Sequence, residues 1–467
     1  MAKKKFSNSD FVHIHCHTEY SSFDGLSKVS NLPLIARQMG FKSLAITDHG
    51  NIGGAIKFIQ ECTKTKDKDG KDIPYPTIKP IIGEEFYCSK SRLSRSKEEQ
   101  PDLKRGNRHL VVIAKNWKGY QNLCRLSQIS WTEGYYLGNP RIDLDVLEKH
   151  SEGLIVSSAC LSSVINANLL HDRYDQAKKM ATKLKDIFKN DFYLEAMYHG
   201  IDAEGAIIPD IIKLGDDIGV KVLCSNDAHY PTKDMGKSHE LLMAISSSKC
   251  LHDPKHLHFP YDEFYLKSAP EMAKIFGTRP ELLYNTMHLA ETVDFNDIYS
   301  HLNGGMRLPK IDIPHNFSSP FDYMKHLAYE GLKKLNWDKS KEHVKRLNIE
   351  IEDVKVALDN NNYDFATYFL VVRDYIKEAQ NRGILVGAGR GSGYGSILLR
   401  TLEIAYGPDP IKFGLLWERF LGFDSLRFVS ERDFFGTKKE ETQKVVAIQE
   451  ADEAREVEDD LGGVDRY

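Results

Sequence analysis

The chain has 467 residues, 41% of them hydrophobic and 28% charged, with a formal charge of −4. That length exceeds one ordinary core and predicts two or three domains. The charge excludes a chain that is basic throughout but leaves room for a local basic stripe that could hold phosphates.

No apolar run approaches the length needed to span a bilayer, and MAKKKFSNSD carries cations without the apolar core of a signal peptide. The seven cysteines show no paired spacing, and Cys16, Cys88 and Cys224 fall in or beside apolar runs, as reduced buried thiols do. A cytoplasmic protein without a membrane partner is expected.

In chain order, Phe11-Val12-His13-Ile14-His15-Cys16 reads as a buried strand, and His15, His17 and Asp24 stand at its end. Two imidazoles at i and i+2 on an extended chain point to one side. A helix over 28–39 with Pro33 near its start precedes a strand, 42–47, which runs into Asp48-His49. A helix over 53–64 and a strand over 78–83 follow, the strand ending on Glu84-Glu85. Residues 89–108 are a polar insert in which Lys and Arg outnumber acids, either a solvated loop or a guide for a nucleic-acid strand. Then come an apolar run, 109–114, opened by His109, a helix near 117–129, and a strand over 153–157 leading to Cys160. After two helices, Phe192-Tyr193-Leu194-Glu195 and a helix near 203–218 lead to a strand over 220–225 and to Asp227 and His229.

Short apolar strands alternating with helices predict an α/β fold with a parallel sheet and crossover helices, and the strand count favours a β/α barrel over an open sheet. In such a barrel the chemistry sits at the carboxyl ends of the strands. His15, His17, His49, Glu85, Cys160, Asp227 and His229 all fall there. Any one of them could be an ordinary structural residue. Burying so many ionisable groups together would be costly without compensating cations. His109 is the exception, at the start of its run; either that strand begins earlier or the preceding loop carries the side chain inward.

The segments HIHCHTEYSSFDG, AITDHGN, KPIIGEEFY, HLVVIAKNWKGYQNL, GLIVSSACLSS and SNDAHY resemble the PHP (polymerase and histidinol phosphatase) domain. More narrowly, they resemble the amino-terminal part of bacterial DNA polymerase III alpha subunits. The resemblance implies a distorted β/α barrel over residues 1–270, with metal ligands at His15, His17, Asp24, His49, Glu85, His109, Cys160, Asp227 and His229. All nine positions hold a ligand-type residue, although many such subunits have lost several. An unbroken set implies a metal-loaded domain with 3′–5′ exonuclease or phosphoesterase activity on the 3′ end of DNA. Mixed imidazole, carboxylate and thiol donors suit two or three Zn²⁺ or Mn²⁺ ions, with Fe²⁺ possible, better than Mg²⁺.

Beyond residue 270 the resemblance continues into the first part of an α+β polymerase palm, 271–436. Gly387 to Ser396 follows the strand-like Ile384-Leu385-Val386 and resembles that family's triphosphate loop, with Gly389, Arg390, Gly391, Ser392, Gly395 and Ser396 facing phosphate. Ala388 stands where the family usually has proline. After Glu418-Arg419-Phe420-Leu421 the likeness fails. Asp433 takes the place of a non-catalytic aspartate, and the two catalytic positions correspond to Phe435 and Thr437, which cannot hold Mg²⁺. Residues 437–467 are an acidic tail, expected to be solvated. Polymerisation by this chain alone is therefore not expected. The alternatives are one half of a split replicase, with Mg²⁺ bound only when a second chain completes the palm, or a free-standing phosphatase, which would have no use for the palm-like segment.

Overall fold

In the first half of the chain the short apolar runs, several of which end at or near imidazole, carboxylate or thiol residues, assemble into one curled sheet. Its strands are β1 (Ser43–Ile46), β2 (Lys79–Cys88), β3 (Arg108–Ala114), β4 (Arg141–Ile142), β5 (Leu154–Ser157), β6 (Phe192–Ala196) and β7 (Lys221–Cys224). They lie in the order β1-β2-β3-β5-β6-β7, with β4 beside β2. These observations come from a computed structural model describing residues 6–96, 108–253, 255–303, 308–361, 363–389 and 391–421. Most of the polar insert, Arg390, Asp433, Phe435, Thr437 and the acidic tail lie outside the described residues.

The sheet is not wholly parallel as expected. Strand β3 runs antiparallel to both β2 and β5, while the remaining pairs are parallel. A parallel neighbour needs a crossover that packs on the sheet, usually a helix. The insert between β2 and β3 is polar in sequence, with Lys and Arg outnumbering acids.

Residues 11–17 link the two edges of the sheet without forming a regular strand. Ala45 N donates to His13 O (3.0 Å) and Thr47 N to Cys16 O (2.8 Å); on the other side His17 N donates to Ala228 O (2.8 Å). Val12 and Ile14 pack inside with Ile81, Val111, Ile113, Ile155, Tyr193 and Leu223. Strict alternation would add Cys16, yet Cys16 packs in the outer core with Leu44, Ile46 and Phe86. The chain bends at His15, so the side-chain phase slips by one residue there. That slip interrupts the expected strand and turns His15 and His17 inward above Ile14.

Helices cover the outer face of the sheet. Three more, Ala269–Phe276, Glu281–Thr292 and Phe295–Leu302, belong to the same unit. Leu289, Ala290 and Val293 cap the inner cluster at the end where the parallel strands begin, and there Lys79 Nζ donates to Ala290 O (2.7 Å). The chain divides into two compact units, residues 1–302 and 303–467, so the boundary read at 270 falls within the helices of the first.

The described residues of the second unit form helices and no strand. Pro320–Lys334, Lys341–Asn361 and Phe365–Asn381 bury Met324, Leu347, Val354, Phe369, Leu398 and Trp417. Ile384, Leu385 and Val386, expected as a strand, are irregular and exposed, Leu385 at 98%. Among the described residues no neighbouring strand takes up their backbone N–H and C=O groups. No helix among the described residues is long and apolar enough to cross a membrane.

Candidate metal centre

Alternation along the strands places a second layer above the apolar interior. Above Ile81 on β2 comes Glu85; above Tyr193 on β6 comes Glu195; beyond Leu223 on β7 come Ser225 and Asp227. His109 reaches the same layer because β3 is reversed, so its first residues lie where the parallel strands end. Neither explanation drawn from the sequence was needed: strand direction accounts for its place.

All nine expected side chains meet in one network centred on Glu85. Glu85 Oε1 lies 2.9 Å from His109 Nδ1, 3.5 Å from His15 Nε2 and 3.8 Å from Cys160 Sγ. Its Oε2 lies 2.8 Å from His49 Nδ1 and 3.3 Å from His17 Nε2. Asp227 Oδ1 sits 3.1 Å from His17 Nε2, 3.3 Å from His15 Nε2 and 3.6 Å from His229 Nδ1. Asp24 Oδ2 approaches His49 Nε2 at 3.4 Å, and Cys160 Sγ approaches His109 Nδ1 at 3.4 Å. The His229 ring stacks on His17 with centroids 4.3 Å apart.

Six of these buried atoms, His15 Nε2, His17 Nε2, Asp24 Oδ1, His49 Nδ1, Glu85 Oε2 and Asp227 Oδ1, make no well-aligned hydrogen bond. Leaving them so would cost the fold unless a cation occupied their common focus. Three overlapping sets, His17/His49/His229, His15/His17/Glu85 and His49/Glu85/His109, each bring their ligand atoms within 4.8 Å of one another. The sets share His17, His49 and Glu85, so these residues, with His15, His109 and His229, would hold divalent cations bound there.

The electrostatics agree. Burial alone would lower His15, but Asp227, Glu85 and Glu195 push it well above the usual imidazole range. Burial likewise opposes charge on His49, which Asp24 and Glu85 raise. Burial would raise Glu85, yet His109, His49 and His15 hold it well below the carboxylate range. Burial and the neighbouring His17 lower His229 to about 3, a neutral imidazole able to ligate. Without metal, protons on some imidazoles stand in for cations.

A supporting layer escaped the sequence reading. Glu195 Oε2 lies 3.1 Å from His15 Nδ1 and accepts from Ser225 Oγ (2.6 Å), while Oε1 accepts from Ser157 Oγ. His17 Nδ1 meets Ser21 Oγ at 2.9 Å, and Ser21 donates to Asp48 Oδ1 at 2.8 Å. His229 Nδ1 is 2.7 Å from Asp227 O. These contacts fix each ring with Nε2 turned toward the cluster. Asp227 has φ 41°, a strained left-handed conformation for a non-glycine residue. The neighbouring Asn226 amide holds it in place, donating to Glu263 O (2.9 Å) and Tyr265 O (2.8 Å). Glu195 had a signal of its own, as a carboxylate closing an apolar strand just as Glu85 does.

In the second unit the glycine-rich run divides by role. Gly389, Gly391 and Ser392 are exposed. A Cβ on Gly395 would lie 2.4 Å from Leu416 O, so close packing requires glycine there. Ser396 Oγ accepts from Leu399 N (2.9 Å) and donates to Glu350 Oε2 (2.8 Å), which commits it to capping the helix Ile397–Thr401.

Residues 13–199 match the PHP domain model, and residues 322–431 match the bacterial DNA polymerase III alpha NTPase domain model. The DNA polymerase III subunit alpha of Borreliella burgdorferi is 39% identical over 418 residues, covering 88% of this chain and 34% of that protein. That of Helicobacter pylori is 38% identical over 437 residues (89% and 34%), and that of Treponema pallidum 38% over 413 (88% and 33%). The chain spans about a third of the length of the curated relatives it matches. Residues 13–199 of the first unit are thus similar to PHP domains, and the chain resembles the amino-terminal portion of the bacterial DNA polymerase III alpha subunits.

Proposed function

We propose that the chain is a metal-dependent phosphoesterase that removes nucleotides from the 3′ end of DNA. The observation that carries this reading is the convergence of His15, His17, Asp24, His49, Glu85, His109, Cys160, Asp227 and His229 in one network, with six of their buried atoms making no well-aligned hydrogen bond. The donor set suits Zn²⁺ or Mn²⁺, or Fe²⁺, in a cluster of two or three ions. When bound, such ions polarise phosphate oxygens and acidify water near neutrality.

The chain's own residues set the geometry. Glu195 and Ser21 hold the His15 and His17 rings in one tautomer, and Glu85 joins the two sides of the cluster. Asp24 and His229 come from separate loops.

The test is a 3′-labelled primer incubated with the purified chain and Mn²⁺ or Zn²⁺, followed by chelation. Shortening should require metal, stop on chelation, and fall by more than about a hundredfold in His15→Ala or Asp227→Ala. Shortening that is absent, or unchanged in those variants, would reject the proposal.

The match of residues 322–431 to a polymerase NTPase domain supports a second reading, in which the chain serves a DNA polymerase as its front portion. Nucleotide incorporation restored by a second chain bearing palm carboxylates, with Mg²⁺, would support it.

A further inference from the structure

We propose that Trp131 and Tyr135 form a stacking platform for a base of the single-stranded DNA whose terminal phosphodiester enters the metal centre. This rests on the exonuclease reading above and adds how the strand would be held.

The helix Trp117–Thr132 turns Tyr120, Leu123, Leu126 and Ile129 into the core. Trp131, in its last turn, faces away and is 50% exposed; Tyr135, just beyond the helix, is 47% exposed. Packing of the helix gives no reason for two large rings in water. The rings lie nearly parallel, at 16°, with centroids 5.4 Å apart. Such a pair presents a broad flat face of the kind that stacks bases without regard to sequence.

What distinguishes this pair from a chance apolar patch is its tie to the cluster. Trp131 Nε1 donates to Gly50 O at 2.7 Å, and Gly50 follows His49 directly. Gly50 N in turn donates to Glu85 O at 3.0 Å, so the indole is anchored to a residue that follows one cluster residue and is bonded to the backbone of another. Gly50 leaves no room for a side chain, since a Cβ there would lie 2.6 Å from Pro140 Cγ. Tyr87 continues the aromatic wall inward, its ring 5.9 Å from His49 and 5.3 Å from His109. The indole N–H is satisfied internally, which leaves the ring pre-oriented and its outer face purely apolar.

Charge points the same way. Arg95 is exposed near the end of the same helix, its guanidinium 5.7 Å from the ring of Tyr136, the residue after Tyr135, and is held by Glu133 O (2.7 Å) and Arg92 O (2.8 Å). A fixed cation beside an aromatic face suits a strand that offers bases and phosphates alternately.

The experiment compares a short oligothymidylate with an abasic strand of equal length, using the whole chain loaded with Mn²⁺. The parent should bind and shorten the base-bearing strand better. In Tyr135→Ala, which keeps the Trp131–Gly50 hydrogen bond, that preference should fall about tenfold, expressed mainly in KM. Trp131→Ala should lose at least as much, Trp131→Phe should recover most of it, and metal content measured alongside should show that the cluster is intact. Oligothymidylate binding by fluorescence titration decides the matter even if no hydrolysis occurs. Weakened binding in the variants would then uphold the platform while the exonuclease reading fails. Binding and preference equal to the parent in both alanine variants, or an equal loss on the abasic strand, would overturn the platform.

Discussion

Glu195 Oε2 lies 3.1 Å from His15 Nδ1, both side chains fully buried, and two serine hydroxyls complete the carboxylate's hydrogen bonding. A carboxylate behind an imidazole raises its basicity and fixes the tautomer that offers Nε2 to a cation. Glu195→Gln keeps the shape but loses the charge. Metal affinity is expected to fall about 10- to 100-fold, with the fold intact by circular dichroism. Competition with a calibrated chelator measures it.

Metal loading should release protons. In the metal-free fold Asp227 and Glu85 hold His15 above its ordinary value of 6.5, and Asp24 and Glu85 do the same for His49. The stability these rings lend the metal-free protein is complete below that value and fades as pH rises through the raised values. Cations compete with those same protons, so affinity should change the other way and climb with pH. Titration calorimetry at pH 7 in two buffers of different ionisation heat should show at least one proton leaving per chain.

Glu84 is the neighbour of the central carboxylate, yet it faces the other way, into the core beneath the helix Trp117–Thr132. It is fully buried, neither oxygen has a well-aligned partner, and burial raises it well above the usual carboxylate range. An acid with a raised folded value lends stability below its unfolded value and loses it as pH climbs through the raised one. Glu84→Gln should therefore match the parent near pH 4 and exceed it by at least about 1 kcal/mol at pH 8. Thermal unfolding of the first unit across pH reads the difference.

In the second unit, Ser396→Ala removes a helix cap and one of the hydrogen bonds to the buried Glu350 carboxylate. The expected loss is about 2 kcal/mol, seen as a lower denaturant midpoint for the helical unit at unchanged slope. Ser392→Ala, at an exposed position of the same run, should leave that midpoint unmoved.

Seven candidate donors, His15, His17, His49, Glu85, Cys160, Asp227 and His229, were visible at strand ends from local pattern, because a strand's alternation and its last residue are written within a few positions of each other. The full set of nine, with Asp24 and His109, came from the resemblance to the PHP domain. Strand direction was not visible. His109 joins the cluster only because β3 runs backward, and direction depends on which neighbours supply hydrogen bonds. Nor could alternation reveal the phase slip at His15, which comes from residues 11–17 being gripped by Ala45 and Thr47 on one side and Ala228 on the other. Glu195 became a partner of His15 through a contact spanning 180 positions, and Ile384-Leu385-Val386, strand-like in composition, stayed irregular for want of a neighbour. Side-chain chemistry belongs to the residue, whereas its orientation and its partner belong to whatever the folded chain places opposite.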